Sequence, residues 1–285
     1  MRIAFLFEPA ANPLDCFNTI SQTWLRGLAE SQHQVKVITR RDTAKKFPLP
    51  HANVEWTEPM RSWGLWEFPQ LFSLLLAYAP QVVHLSVGRP ISRTGLWPAL
   101  SVLKSLGIPL VISPGDHCAW PPAWRFHDQL IAPPYTADWA VPLLLPQNFS
   151  AASDMAANRV FVPGPLYAHS DWRQTLNKLM SFIAQNPEKT FDLAWDWSEI
   201  PIAERLSWRT RWQSQTLGAQ LNYLGPLSLH DQLTHARASG HVMSEFLRDP
   251  SWAKACFDQL KIAATTPLPM DTAINQLSRS YRALL

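Results

Sequence analysis

A chain of 285 residues has room for about two compact domains, and its 47% hydrophobic against 16% charged residues exclude general disorder. The 25 Lys and Arg against 22 Asp and Glu leave a net +3, divided as 12 basic and 10 acidic residues over 1–150 and 13 and 12 over the remainder. That evenness excludes the clustered phosphate-neutralising face of a nucleic-acid protein. Cys16, Cys118 and Cys256 lie far apart with no CxxC, so neither a disulfide framework nor a zinc cluster is expected, and a reducing cytoplasm fits best. The most apolar stretch, Leu71–Ala79, is far short of a membrane span, so no transmembrane segment is expected. The amino terminus has only five apolar residues between Arg2 and Glu8, which reads as a buried strand and not as a signal peptide.

In chain order, short apolar runs alternate with amphipathic stretches, the pattern of parallel strands joined by covering helices, so the fold class is α/β. Ile3–Phe7 is apolar on both faces, as a strand covered on each side must be. Phe17, Ile20, Trp24 and Leu28 recur at helical spacing, and Val35–Ile38 is the next strand. Residues 41–66 carry Trp and Pro punctuation without a period and read as loop. Leu71, Leu74, Leu75 and Tyr78 form a helix stripe, followed by a strand at Gln81–Leu85 in which His84 reads as a satisfied core residue. Leu96, Ala99, Leu100 and Leu103 stripe another helix, and strands follow at Ile108–Ile112, Leu130–Ala132 and Val141–Leu145.

The second half repeats this logic. A strand at Val160–Val162 leads to a helix with Trp172, Leu176, Leu179, Met180 and Ile183 on one face, then a strand at Phe191–Trp195. A helix over Arg205–Leu217, a strand at Leu221–Leu224 and a helix opened by Ser228, with Asp231 at the capping distance, continue the series. A strand at Lys261–Ala264 and a terminal helix with Ile274, Leu277, Tyr281 and Leu284 close it. The small, polar stretch Ala151–Asn158 is the expected hinge, which gives a first domain over 1–150 and a shortened second over 151–285.

Several punctuating segments are more specific. Gln34-Val-Lys-Val-Ile-Thr39 follows Ser31-Gln-His33; Pro80-Gln-Val-Val-His-Leu-Ser86 and Ile108-Pro-Leu-Val-Ile-Ser-Pro-Gly-Asp-His117 come next. Leu144-Leu-Pro-Gln-Asn-Phe149 stands at the junction, and Leu221–Leu233 and Lys254–Thr265 lie in the second half. This succession resembles the retaining GT-B glycosyltransferases of group 1 type, the bacterial-type family related to glycogen and sucrose synthases, over most of the chain. The resemblance implies two Rossmann-like doubly wound domains, a nucleotide-sugar donor held mainly by the second, an acceptor of unknown identity on the first, hexosyl transfer, and no cofactor. Metal is not implied, since no Asp-x-Asp occurs. The sharp signatures GxGxxG, GxxxxGK[ST], HExxH and GxSxG are absent too.

On that resemblance His117 is the acceptor-side histidine that orients or deprotonates in the cleft, against the plainer reading of a loop histidine. Asp116 accepts from a sugar hydroxyl or caps a helix, and Trp120, with Trp124, shapes an acceptor pocket. Arg89 and Arg93 follow the His84 strand and grip an anion or stand as ordinary loop arginines. The donor side departs from the family. Gly164-Pro165-Leu166 stands where the family has Gly-Arg-Leu, Asp171 takes the lysine position that would neutralise the leaving diphosphate, and Lys254 replaces an acid. That acid's partner position falls on Phe246, next to Glu245, and Pro9–Asp15 replaces the glycine loop after the first strand. Arg173 either substitutes for the lost lysine or faces solvent. A degenerate donor site leaves two readings open: a diverged transferase, or a non-catalytic GT-B-like chain that binds ligands or serves as the partner protein of an active enzyme.

Overall fold

Two parallel sheets carry the chain in the computed structural model, which describes residues 1–11, 15–89, 93–115, 128–130, 156–164, 172–195, 201–214, 220–244, 247, 254, 257 and 270–285. The chain divides into two compact units, one of Met1–Leu144 with Leu268–Leu285 and one of Leu145–Pro267. Among the described residues no helix is long and apolar enough to cross a membrane.

The first unit holds a six-stranded sheet of β1 (Arg2–Glu8), β2 (Gln34–Arg40), β3 (Val54–Met60), β4 (Val82–Val87), β5 (Leu110–Pro114) and β6 (Gln129–Leu130), in the order β3-β2-β1-β4-β5-β6. β1 lies inside, with Phe5 opposite Val37 of β2 and opposite His84 of β4. Every residue of β4 is buried, so its two faces need separate cover. Ala4, Leu6, Val83, Leu85 and Ile112 pack on one side with Leu71 and Leu75 of α3 (Phe68–Tyr78) and Leu100 and Leu103 of α4 (Arg93–Ser105). On the other side Phe5 packs on His84, and His84 on Trp24 of α1 (Cys16–Glu30). Each such large side chain contributes on the order of 1.5–3 kcal/mol by leaving water. Asp15 starts α1 by accepting from the Phe17 N–H at 2.9 Å.

Residues 41–66, read as loop, contain a single helical turn α2 (Thr43–Lys46) and the edge strand β3. β3 escapes periodicity because an edge strand is only half covered: Val-Glu-Trp-Thr-Glu-Pro-Met buries only Met60 fully, and Glu55 is exposed.

The second unit holds β7 (Ala156–Val162), β8 (Thr190–Leu193), β9 (Leu221–Tyr223) and β10 (Ser239–Val242) in the order β10-β7-β8-β9. Val160, Val162 and Phe191 pack with Leu176, Leu179 and Ile183 of α5 (Trp172–Gln185). Trp208 of α6 (Ile202–Ser214) joins that layer, and Phe161 stacks on His235 of α7 (Leu229–Ala238) on the opposite face. Buried Asp192 is held by Arg159 and by Asn222 Nδ2 at 3.0 Å. Ser228 caps α7 as its sequence forecasts, accepting from the Asp231 N–H at 3.2 Å and donating to the Asp231 carboxylate at 2.6 Å. β10 was not expected: Ser-Gly-His-Val is too short and too polar to stand out, and its pairing with β7 makes it a strand. The expected hinge does not coincide with the unit boundary, since Ala156–Asn158 already belong to β7. The expected strands at Val141–Leu145 and Lys261–Ala264 lie outside the described residues.

The terminal helix α8 (Met270–Ala283), expected in the second domain, packs in the first unit beside α1. Two buried polar bonds fasten it: His33 Nε2 to Ser278 Oγ at 2.9 Å, and His84 Nδ1 to the Tyr281 hydroxyl. His84 Nε2 pairs with Ser113 Oγ at 2.7 Å, so both ring nitrogens are satisfied and the core reading of this residue holds.

Exposed Ala79 closes α3 in the left-handed region at φ 48, so Ala79→Gly raises stability by about 1 kcal/mol in urea unfolding. Burial, chiefly, holds His33 at about 4 and His84 at about 3, below the ordinary 6.5. The unfolded chain therefore takes up protons that the folded chain refuses. Stability is full above pH 6.5 and falls as the pH drops toward 4, by up to about 1.4 kcal/mol per pH unit for each histidine. Urea midpoints at pH 7, 6 and 5 report this loss, and His33→Asn flattens the slope.

Candidate functional site

In an open parallel sheet, ligands sit beyond the carboxyl ends of the strands, where the strand order reverses. The first sheet reverses between β1 and β4, and the second, by the same rule, between β7 and β10.

At the first of these edges Glu8, Arg40 and Arg89 form a row. Glu8 ends β1, Arg40 ends the neighbouring β2, and Arg89 follows β4 on the other side. Arg40 Nε donates to Glu8 Oε2 at 2.8 Å, Arg89 Nε donates to Oε1, and Trp63 Nε1 donates to Oε2 at 2.6 Å. The carboxylate is 2% exposed, whereas the arginine side chains are 30% and 33% exposed. Burial pushes the Glu8 carboxyl above its ordinary value, and the Trp63 N–H and the Arg89 guanidinium draw it back. The backbone crowds here: a Cβ on Gly88 would stand 2.2 Å from the Ala10 nitrogen, and one on Gly115 would stand 2.9 Å from Gly88 Cα. Asn18 on α1 fixes the loop after β1 by accepting from the Ala10 N–H at 2.8 Å. What this edge offers chemically is a pair of partly exposed guanidiniums on a rigid, buried acid.

The second edge is built differently. Gly164 follows β7, and its N–H donates to Gln232 Oε1 at 3.0 Å, while Gln232 Nε2 donates to the Leu227 carbonyl at 3.1 Å. Trp195 Nε1 donates to the Pro163 carbonyl at 3.0 Å, and the Tyr223 hydroxyl donates to the Trp195 carbonyl at 2.9 Å. Arg173, in the first turn of α5, is 63% exposed and engaged by Glu204 of α6, Nη2 to Oε1 at 2.6 Å and Nε to Oε2 at 3.1 Å. The Glu204 side chain is 31% exposed, so the pair is open to water chiefly on its arginine side.

Of the site residues expected from the sequence, Arg89, Gly164 and Arg173 are described with their surroundings, and each lies at a carboxyl edge: Arg89 in the first unit, Gly164 and Arg173 in the second. Arg93 opens α4, and its side chain lies outside the described residues, as do Asp116, His117, Trp120 and Glu245 altogether. Sequence reasoning missed Glu8, Arg40, Trp63 and Gln232. The available signal was an acid and an arginine placed at the last positions of two adjacent strands. Among the described residues no group of three or more His, Cys, Asp or Glu side chains is arranged to hold a metal ion.

Neither a family model nor a curated protein sequence matches this chain. Solved structures do. Anabaena HepE, in complex with UDP and glucose, is similar at 12% identity and a TM-score of 0.54, over 99% of this chain and 100% of that one. Sucrose-phosphate synthase from Thermosynechococcus elongatus is similar at 13% identity and a TM-score of 0.54, over 100% and 99%. An O-GlcNAc transferase from Thermobaculum terrenum is similar at 12% and 0.50, over 100% of this chain and 62% of that one. The chain has the GT-B fold, with Rossmann-like α/β domains.

Gly164 is required by the closeness of β7 and β8, because a Cβ there would stand 2.0 Å from the Ala194 carbonyl oxygen and 3.2 Å from Trp195 Cα. Gly164→Ala accordingly costs on the order of 3 kcal/mol in urea unfolding, whereas Ala substitution at exposed Lys178 on α5 leaves the midpoint unchanged.

Proposed function

We propose that this chain is a diverged, retaining GT-B glycosyltransferase of the cytoplasm. It moves a hexosyl group from a nucleotide-sugar donor on the Leu145–Pro267 unit to an acceptor on the Met1–Leu144 unit. The observation that carries the reading is the fold. Two solved structures, one of them bound to UDP and glucose, share it over 99% or more of this chain, and each of the two sheets here has the reversal of strand order at which such folds receive nucleotides. In this reading Arg173 leaves Glu204 to meet the donor diphosphate, with the Gly164 turn beside it. His117 takes the acceptor proton as the new glycosidic bond forms and the nucleoside diphosphate departs. Asp116 and Trp120 hold the acceptor, Arg89 and Arg93 its anionic group, and Glu245 faces the donor sugar.

One observation favours the second reading, a chain that keeps the scaffold for binding or as the partner of an active enzyme. The donor-side groups already have protein partners: the Gly164 N–H is bound by Gln232, and Arg173 by Glu204.

Calorimetric titration of the full chain with UDP, UDP-glucose, GDP and GDP-mannose separates the two. The transferase reading expects micromolar binding of one nucleotide family, with hydrogen-exchange protection gained around 160–164 and 172–176. Absence of binding across all four overturns it and leaves the scaffold reading.

A further inference from the structure

The Glu8 cluster has a geometry that a purely structural ion pair does not need. A carboxylate buried at a strand end is satisfied most economically by one arginine, whose planar fork can bond both oxygens. Here two arginines share it, each through Nε alone, on opposite oxygens, and Trp63 adds a third bond. Glu8 thus neutralises one guanidinium of two and leaves a surplus positive charge. Among the described residues the Nη groups of Arg40 and Arg89 take no protein acceptor, and these are the ends of side chains that remain about one-third exposed. The surroundings do not cancel that charge. Asp42 is bound by Lys45 at 2.8 Å, and the neighbouring exposed cations Arg41 and Lys46 outnumber the remaining acid of this segment, Glu58. A fixed acid with a cation on either side, on adjacent strands at the reversal point, holds two donor forks in a set position without the entropy cost of ordering them on binding.

We infer that Arg40 and Arg89, bracketed by Glu8, form a two-guanidinium clamp for an oxyanion, and that the acceptor taken by this unit carries a phosphate or carboxylate group. The clamp stands on the geometry alone, and its assignment to the acceptor rests on the transferase reading. Glu8 and Trp63 act as positioning residues, and the arginines make the contact.

The test is calorimetric titration of the full chain at low ionic strength with inorganic phosphate and, in parallel, with glucuronate. At least one binds the wild type, and the Arg40→Gln and Arg89→Gln variants each weaken it about tenfold or more, the loss expected for one charge-assisted bond. Binding of phosphate alone marks a phosphorylated acceptor, and binding of glucuronate alone marks a carboxylate. Thermal melting accompanies each titration. Where a glutamine variant does not fold, the corresponding lysine variant, which keeps charge but loses the fork, is read instead. No binding of either anion by the folded wild type, or unchanged binding by folded variants, overturns the clamp. Displacement of bound phosphate by UDP gives the clamp to the donor and overturns the acceptor assignment. An intact clamp in a chain that binds no nucleotide overturns the transferase reading and leaves the clamp standing.

Discussion

A parallel strand hydrogen-bonded on both edges and covered on both faces has no solvent along its length, so polar side chains must be matched within it or moved to its ends. β1 and β4 show both outcomes. Along β4, His84 and Ser86 are fully buried, and each is bonded: His84 to Tyr281 and Ser113, Ser86 to Ser21 on α1 at 2.8 Å. At the carboxyl end of β1, Glu8 is buried and answered by three donors from β2, the loop after β3 and the loop after β4. The same constraint that builds the core therefore places the charged residues at the edge where a ligand can meet them.

The two edges differ in how their charge is kept. In the first unit the acid is inside and the cations are outside, which is costly to dismantle because removing one partner leaves a buried charge. In the second unit the acid of the Arg173–Glu204 pair is itself partly exposed, and the arginine stands mostly in water. Gln232 plays there the part that Glu8 plays in the first unit, a buried polar side chain that fixes the turn after a strand, but it is neutral and holds backbone where Glu8 holds guanidiniums.

The return of α8 to the first unit gives the buried histidines a structural meaning. His33 and His84 are the points at which the last helix is fastened to strands and turns formed by the first third of the chain. A neutral imidazole can do this because it offers one donor and one acceptor, and a protonated one cannot accept. The integrity of the first unit thus depends on residues that follow the whole of the second unit in the chain.

Much of the architecture was legible beforehand. The apolar runs at Ile3–Phe7, Val35–Ile38, Gln81–Leu85 and Val160–Val162 and the helix stripes between them determined an α/β chain, since two-sided burial leaves a run of apolar residues that no loop would keep. β3 and β10 were not legible, because an edge or a short polar strand owes its form to pairing with a neighbour. The cap at Ser228 and the core role of His84 were written locally, the first within three residues and the second by its apolar flanks. What only the tertiary structure decided was which distant residues share a place. Glu8, Arg40, Trp63 and Arg89 span 81 positions of sequence and converge because β2, β1 and β4 lie side by side, and Tyr281 reaches His84 because the chain comes back. Periodicity reports what each segment buries, and only the strand order reports which segments are neighbours.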